Sequence, residues 1–289
     1  MRIDPHVHLR DGDSESHKET LSHGFLTAWK SGLSAVFEMP NTSPPLTSGD
    51  TVRARITAAD DALKTLGIPL FHGILGGMTA EEKQIAEAVS LWKELFPRVA
   101  GLKMFAGHST GDMGIIREED QAGVYRALAR ENFTGVLMLH CEKPGLLKPG
   151  LFSPERPESH LESRPPEAEV ESIRDQLNMA RAAGFRGTLH ICHISVPEGL
   201  ELIEESREHL PCPVTCGITP HHALPSVDDM KKKDGILLKV NPPLRSEKMR
   251  KKMFQALLEE RIDWIETCHD HSPADMKKRS PDCLYFFIG

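Results

Sequence analysis

The chain has 289 residues, of which 39% are hydrophobic and 27% are charged, a composition typical of a globular α/β protein with one large domain. A net charge of −7 argues against a nucleic-acid partner, and no apolar run approaches the roughly 20 residues needed to cross a bilayer, so no membrane partner is expected. None of the six cysteines forms a Cys-x-x-Cys pair, which favours a reduced, cytoplasmic protein over a disulfide-bonded one.

Short apolar strands alternate with amphipathic helices along the whole chain. Eight strands are predicted, at 2–9, 34–39, 69–76, 100–106, 135–142, 187–194, 213–219 and 263–270. Helical patterns lie between them, at 16–30, 50–66, 80–95, 118–131, 167–183, 196–208 and 247–260. This alternation predicts a parallel sheet closed into a (β/α)8 TIM barrel, a single domain over residues 1–289. A doubly wound open sheet is the alternative, but no Gly-x-Gly-x-x-Gly motif follows the first strand.

The first predicted strand carries His6, His8 and Arg10. Residues two apart on a strand share a face, so these three side chains point the same way. Two imidazoles on one face can bind one divalent metal, and imidazole suits zinc well. The guanidinium of Arg10 could hold a substrate carboxylate with two hydrogen bonds. The alternative, three polar residues on a solvated strand, explains the first strand alone about equally well.

Further polar residues fall at the ends of later strands. Asn41 follows the second strand, His140 closes the fifth, His193 the sixth and Asp270 the eighth. Each alone is more often a hydrogen-bonded scaffold residue than a ligand. The active site of a TIM barrel lies at the carboxyl ends of its strands, where all of these residues would meet. The set therefore predicts a metal site at one rim of the barrel.

Lys103 lies within the fourth predicted strand, where an unpaired ammonium would be costly to bury. An uncharged lysine amine can take up carbon dioxide and become an anionic carbamate, which could bridge two metals. A surface position or a salt bridge is the alternative. In the sixth strand, His190 and His193 are three residues apart, which predicts opposite faces and leaves one of them, His193, facing the site.

Together these motifs resemble the dihydroorotases of the amidohydrolase superfamily. The resemblance covers nearly the whole chain and also includes the segments at 39–42, 103–105, 190–195, 219–222 and 241–245. It implies one or two zinc ions per chain, held by His6, His8, a carboxylated Lys103, His140, His193 and Asp270. It also implies that Arg10 and Asn41 bind the substrate carboxylate and that Asn241 makes a further substrate contact.

The resemblance implies the reversible cyclisation of N-carbamoyl-L-aspartate to L-dihydroorotate in pyrimidine biosynthesis, a small-molecule reaction, and a homo-oligomeric protein. Metal coordination lowers the pKa of water and polarises an amide carbonyl, and Asp270 would move the proton to the leaving nitrogen. A hydantoinase-like or allantoinase-like cyclic amidase is one alternative. A catalytically silent homologue that acts as an assembly partner is another.

The eighth strand and the end of the chain depart from the family pattern. Aligning the strand on Asp270 keeps the carboxylate but places Ala274 where the family has a substrate-binding histidine. Aligning it on Glu266 and Thr267 without a gap places Cys268 at the aspartate position instead. Only 19 residues follow Asp270. We therefore expect a barrel that is incomplete at its carboxyl end and an activity below that of a complete dihydroorotase.

Overall fold

Parallel strands form one sheet in the computed structural model, which describes residues 1–12, 16, 18–108 and 113–270. Within these residues the strands are β1 (Ile3–His8), β2 (Ala35–Glu38), β3 (Phe71–Gly77), β4 (Val99–Ala106), β5 (Val136–Cys141), β6 (Thr188–Ile191), β7 (Val214–Ile218), β8 (Trp264–Ile265) and β9 (His269–Asp270). Their hydrogen-bonded order is β8-β7-β6-β5-β4-β3-β2-β1-β9. Consecutive strands are therefore neighbours, as in a barrel wound in one direction.

Both edges of this sheet lie in residues 264–270, a segment that we call the last passage of the chain. The short strand β8 pairs with β7, whereas β9 pairs with β1, and residues 266–268 join the two. The predicted eighth strand, 263–270, is thus present but interrupted in its middle, where Cys268 has a backbone φ of 48°. The structure confirms the predicted TIM-barrel fold, and this passage joins the two edges of its sheet. The expected incompleteness at the carboxyl end stays a prediction. Residues after Asp270, including Ala274, lie outside the described part of the chain.

Helices follow the strands and cover the sheet. They are α1 (Leu21–Lys30), α2 (Gly49–Leu66), α3 (Glu82–Leu95), α4 (Glu118–Arg130), α5 (Ser159–Ser163), α6 (Pro166–Ala183), α7 (Pro197–Ser206), α8 (Pro220–Ala223) and α9 (Glu247–Leu258), with 3₁₀ turns at Pro144–Leu146, Pro149–Leu151, Val227–Lys231 and Gly235–Leu238. The first helix begins later than predicted, because the Thr20 hydroxyl caps it by accepting the backbone N–H of His23 at 3.2 Å. In the described part of the chain, no helix is both long and apolar enough to cross a membrane.

The main apolar core lies between the strands and the helices, and it determines which side chains face the barrel interior. Leu102 and Met104 of β4 belong to this core together with Val124 and Leu128 of α4. Successive side chains of a strand point to opposite faces, so Lys103 lies on the inner face. Its side chain is fully buried. The outward packing of its two neighbours therefore fixes Lys103 inside the barrel, which excludes the surface alternative.

Asp4 joins the first strand to the last passage of the chain. Its carboxylate accepts the Thr267 hydroxyl at 2.6 Å and the Thr267 backbone N–H at 3.2 Å. It also accepts the backbone N–H of His6 at 3.1 Å. Burial raises the pKa of Asp4 to about 6, although these hydrogen bonds act in the opposite direction. The Asp4–Thr267 contact thus helps to hold the barrel closed.

We predict that Thr267→Val destabilises the protein by about 1.5–3 kcal/mol, because a buried carboxylate loses one of its hydrogen-bond donors. The midpoint of unfolding in urea, at a pH above the pKa of Asp4, measures this change. The matched control is Thr65→Val, at an exposed position in α2 where the hydroxyl bonds only the Asp61 carbonyl. Equal midpoints for the two variants would contradict a role for Thr267 in closure.

Candidate metal centre

The imidazoles of His6 and His8 converge inside the barrel at the carboxyl end of β1. Their Nε2 atoms lie 3.2 Å apart, and both side chains are buried. Behind them, the Nδ1 atom of His6 lies 3.1 Å from a Glu266 carboxylate oxygen. The Nδ1 atom of His8 lies 2.7 Å from the side-chain oxygen of Asn41. Each Nδ1 therefore faces an acceptor and carries the proton.

This arrangement leaves both Nε2 atoms unprotonated and pointing at one another. Two lone pairs 3.2 Å apart repel each other unless a cation lies between them. Four-coordinate zinc bound to two imidazoles at about 2.0–2.1 Å would place the two nitrogens about 3.3 Å apart. A carboxylate or amide oxygen behind a ligand imidazole is also the usual arrangement at metal sites. The β1 pair therefore fits a divalent metal.

A second pair of imidazoles lies beside the first. The Nδ1 atom of His140, in β5, is 3.3 Å from the Nε2 atom of His193. The other nitrogen of His140 faces Glu142 at 3.1 Å, so that here too a buried carboxylate holds the proton away from the converging atoms. The ring of His193 lies 5.3 Å from that of His6. The two pairs form one cluster of four imidazoles, which fits one or two metal ions.

Burial is the main reason that these imidazoles are neutral. It lowers the pKa of His6 to about 4 and the pKa of His8 and His193 well below their usual value. Burial also lowers the pKa of His140, although contact with Glu142 opposes it. The positive charge of Lys103 contributes to all four shifts. Metals bind the neutral form of imidazole, so the cluster needs no deprotonation near neutral pH.

Lys103 lies against this cluster of imidazoles. Its Nζ donates to Cys192 Sγ at 3.0 Å and lies 5.2 Å from the centre of the Phe105 ring. Among the described residues, no carboxylate lies within 4 Å of Nζ, so the salt-bridge alternative has no support there. Its carboxylation stays a prediction.

Arg10 holds a carboxylate, as its predicted role requires, but that carboxylate belongs to Asp270. Arg10 Nε lies 3.1 Å from both Asp270 oxygens, and a terminal nitrogen makes a further short contact with one of them. Another terminal nitrogen donates to the Asn41 carbonyl at 2.8 Å. Both side chains of the ion pair are buried. Asn41 thus connects Arg10 to the imidazole cluster through His8.

Of Cys268 and Asp270 in the last passage, Cys268 is the one whose side chain groups with the β1 imidazoles. Ligand atoms of His6, His8 and Cys268 all lie within 4.8 Å of one another. Asp270 is not brought into this group, and its predicted roles as ligand and proton carrier remain predictions. Asn241 lies beyond the cluster, where its side-chain oxygen bonds His160 at 2.7 Å. The side-chain nitrogens of Asn41 and Asn241 are buried without a hydrogen-bond partner among the described residues.

Three residues close to the imidazoles, Glu142, Glu266 and His190, are not among the site residues predicted from the sequence. Glu142 follows His140 by two residues, so the period of a strand places both on the same face and could have found it. Glu266 has no comparable signal, because its partner His6 is 260 residues away in sequence. His190 was predicted to face away, yet its Nε2 lies 3.5 Å from Glu266. The prediction failed because β6 ends at Ile191 and His193 has a φ of 38°, which breaks the alternation.

Glu266 is buried completely and is held ionised by its surroundings. Although burial opposes ionisation, contacts with His6 and His190 keep its pKa well below the usual value. Its second oxygen accepts the backbone N–H of His193. A Cβ at Gly217 of β7 would lie 2.6 Å from a Glu266 oxygen, so glycine is needed there for the carboxylate to fit.

We predict that Glu266→Gln lowers zinc affinity by about 10- to 100-fold, the usual effect of removing the partner behind a metal-binding imidazole. The amide has one acceptor oxygen where the carboxylate has two, so the contact with His6 or with His193 must be lost. Competition with a chromophoric chelator measures the affinity. Glu94→Gln, which changes an exposed ion pair with Arg53, is the control. Unchanged zinc affinity in Glu266→Gln would show that the carboxylate does not support the site.

No family model matches the chain, whereas curated proteins and solved structures similar to it are found. A dihydroorotase of Halobacterium salinarum is 33% identical over 283 residues, which cover 97% of this chain and 60% of the relative. An allantoinase of Salmonella gallinarum is 29% identical over 286 residues, covering 95% of this chain and 59% of the relative. The chain thus spans about three fifths of the length of these curated relatives.

Among solved structures, L-hydantoinase (dihydropyrimidinase) from Arthrobacter aurescens superposes with a TM-score of 0.78. It is 23% identical, and the match covers 96% of this chain and 59% of that one. This likeness supports the fold. Over the part that it spans, the chain is therefore similar in sequence to dihydroorotases, and it shares the TIM-barrel fold of the solved hydantoinase.

Proposed function

We propose that this chain carries a zinc-dependent cyclic amide hydrolase site that interconverts L-dihydroorotate and N-carbamoyl-L-aspartate. The observation that carries the proposal is the convergence of four neutral imidazoles, in two pairs 3.2 and 3.3 Å apart, at the rim where a TIM barrel performs its chemistry. A divalent metal bound there would activate water and polarise the amide carbonyl. The similarity to dihydroorotases supports the substrate.

The residues proposed to hold metal are His6, His8, Lys103 as its carbamate, His140, His193 and Asp270. His6, His8 and His140 each have an acceptor on one ring nitrogen, so the other nitrogen is left unprotonated and directed into the cluster, where His140 meets His193 Nε2 at 3.3 Å. Asp270 is engaged by Arg10, so its proposed part as proton carrier requires that another anion take its place on the guanidinium. The substrate carboxylate is such an anion.

Substrate recognition is proposed to depend on Arg10, Asn41 and Asn241. Arg10 already grips a carboxylate in a buried position, which indicates that its fork suits that shape and charge. The unpartnered side-chain nitrogens of Asn41 and Asn241 are buried donors that a polar substrate could satisfy. Dihydroorotate carries the carboxylate that Arg10 would hold, whereas hydantoin and allantoin have none.

We expect zinc-loaded protein to hydrolyse L-dihydroorotate with a kcat/KM at least about tenfold above that for allantoin or hydantoin, because a hydrogen bond to a charged group is worth about 1.5–3 kcal/mol. Ring opening is followed by ultraviolet absorbance, with metal content measured in the same samples. A preference for allantoin would replace the substrate and keep the reaction class. Full metal loading without turnover of any of the three would favour the silent homologue.

In the same assay, Arg10→Lys separates recognition from metal binding. Lysine keeps the charge but loses the planar fork, so KM for dihydroorotate should rise steeply while zinc content stays the same. Wild-type kinetics in this variant would remove Arg10 from the substrate site.

Carboxylation of Lys103 is proposed because the cluster holds four imidazoles and an ammonium but, among the described residues, no anion close to Nζ. Addition of carbon dioxide to the free amine gives a carbamate and one proton, and it replaces a cation beside the metals with an anion. Reconstitution with zinc and ¹³C-bicarbonate should produce a carbamate carbon resonance that is lost in Lys103→Gln. Lys239→Gln, a change at another fully buried lysine, is the control. A resonance that persists in Lys103→Gln, or none in the wild type, would contradict the assignment.

A further inference from the structure

The thiol of Cys268 lies at the imidazole pair of β1, on the last passage of the barrel. Its sulfur and one nitrogen each of His6 and His8 form a group whose atoms are all within 4.8 Å of one another. Zinc bound to nitrogen at about 2.0–2.1 Å and to sulfur at about 2.3 Å needs ligand atoms about 3.3–3.6 Å apart. The two imidazole nitrogens already have that spacing, and small side-chain shifts would bring the sulfur to it.

Strand pairing fixes the level of Cys268 in the barrel. β9 pairs with β1 so that His269 lies opposite Val7 and Asp270 opposite His8. The residue before His269 is Cys268 and the residue before Val7 is His6, so Cys268 and His6 lie at the same height along the barrel axis. The Thr267 hydroxyl, held by Asp4, also accepts the backbone N–H of His269 at 3.0 Å and so anchors the interruption at this point.

The carboxylate of Asp270, two residues after Cys268, is bound by Arg10. Both oxygens of Asp270 lie 3.1 Å from Arg10 Nε, and the pair is buried. Breaking such a buried pair by removing one partner is strongly destabilising, because it leaves a buried charge without a counter-ion. A metal at the β1 pair therefore meets Cys268 as the nearer donor of the last passage, among the residues that the structure describes.

We propose that Cys268 takes the place given above to Asp270 as the last strand's ligand to a metal held by His6 and His8, in a two-histidine, one-thiolate centre, and that Asp270 keeps only the role of proton carrier. This rests on the metal site of the proposed function. Coordination releases the thiol proton to solvent and leaves a metal–sulfur bond. A thiolate favours zinc, cobalt or cadmium over the harder magnesium and manganese ions.

A second buried thiol provides the matched control. Cys192 Sγ forms another group within 4.8 Å with His6 and Glu266. However, this sulfur accepts a hydrogen bond from Lys103 at 3.0 Å, and the Glu266 carboxylate is engaged by His6 and by the backbone of His193. Cys192→Ser should therefore leave the thiolate–metal bond in place.

The test is cobalt(II) substitution of the full chain, with absorbance spectra and elemental analysis of the same samples. We expect a near-ultraviolet thiolate-to-cobalt charge-transfer band in the wild type and in Cys192→Ser. The band should be absent from Cys268→Ser and from Cys268→Asp. In Cys268→Asp a carboxylate replaces the thiolate, so metal should remain bound while the band disappears, and circular dichroism confirms the fold.

Each outcome is decisive. Cobalt bound to the wild type without a thiolate band overturns the assignment of Cys268 and leaves the proposed metal site intact. A band lost in Cys192→Ser but kept in Cys268→Ser assigns the sulfur to Cys192 and also overturns it. Absence of any stoichiometric metal from the wild type, after reconstitution with cobalt and bicarbonate, overturns both this inference and the proposed function.

Discussion

The site depends on one buried carboxylate, that of Glu266, at the interruption of the last strand. It bonds His6 on the first strand and the backbone of His193 after the sixth, and it approaches His190. An ion without solvent is stable only if it is paired and fully hydrogen-bonded, so these contacts are obligatory rather than incidental. They connect distant parts of the chain and determine which nitrogen of His6 faces the cluster. The space for this carboxylate exists because position 217 is glycine.

Charge balance explains where the buried carboxylates lie relative to the four imidazoles. Glu266 and Glu142 lie behind the imidazoles rather than among them, so the converging nitrogens remain neutral donors of lone pairs. Glu142 is itself held by Arg164 at 2.6 Å, and this contact and that with His140 lower its pKa to about 2 although burial opposes the shift. A divalent cation added to this centre brings positive charge next to Lys103. The proposed carbamate form of Lys103, or the proposed thiolate of Cys268, would supply anionic charge among the converging ligand atoms.

The sequence predicted much of this arrangement because one periodicity and one general rule of the barrel fold govern it. The strand period of two placed His6 and His8 on one face, and the barrel rule brought His140 and His193 to the same rim. The interruption at 266–268 could not be predicted, because it depends on how β9 registers against β1 after closure. For the same reason, neither the partner of Asp270 nor the contact between Glu266 and His6 could be inferred, since both join residues 260 apart in the chain. The prediction that His190 faces away from the site assumed that side chains alternate as far as His193. It was wrong because β6 ends at Ile191.

The Arg10–Asp270 pair connects recognition to chemistry in the proposed reaction. A substrate carboxylate that replaces Asp270 on Arg10 exchanges one anion for another, so the guanidinium never remains buried and unpaired. The large cost of breaking a buried ion pair is thereby avoided. The displaced Asp270 side chain is then released at the level of His8, opposite which it is registered. A neutral cyclic amide cannot make this exchange, and Asp270 stays on Arg10. In the proposed reaction, selection for a carboxylate and delivery of a base to the cluster would be one event, which would account for a buried Arg–Asp pair beside four buried imidazoles.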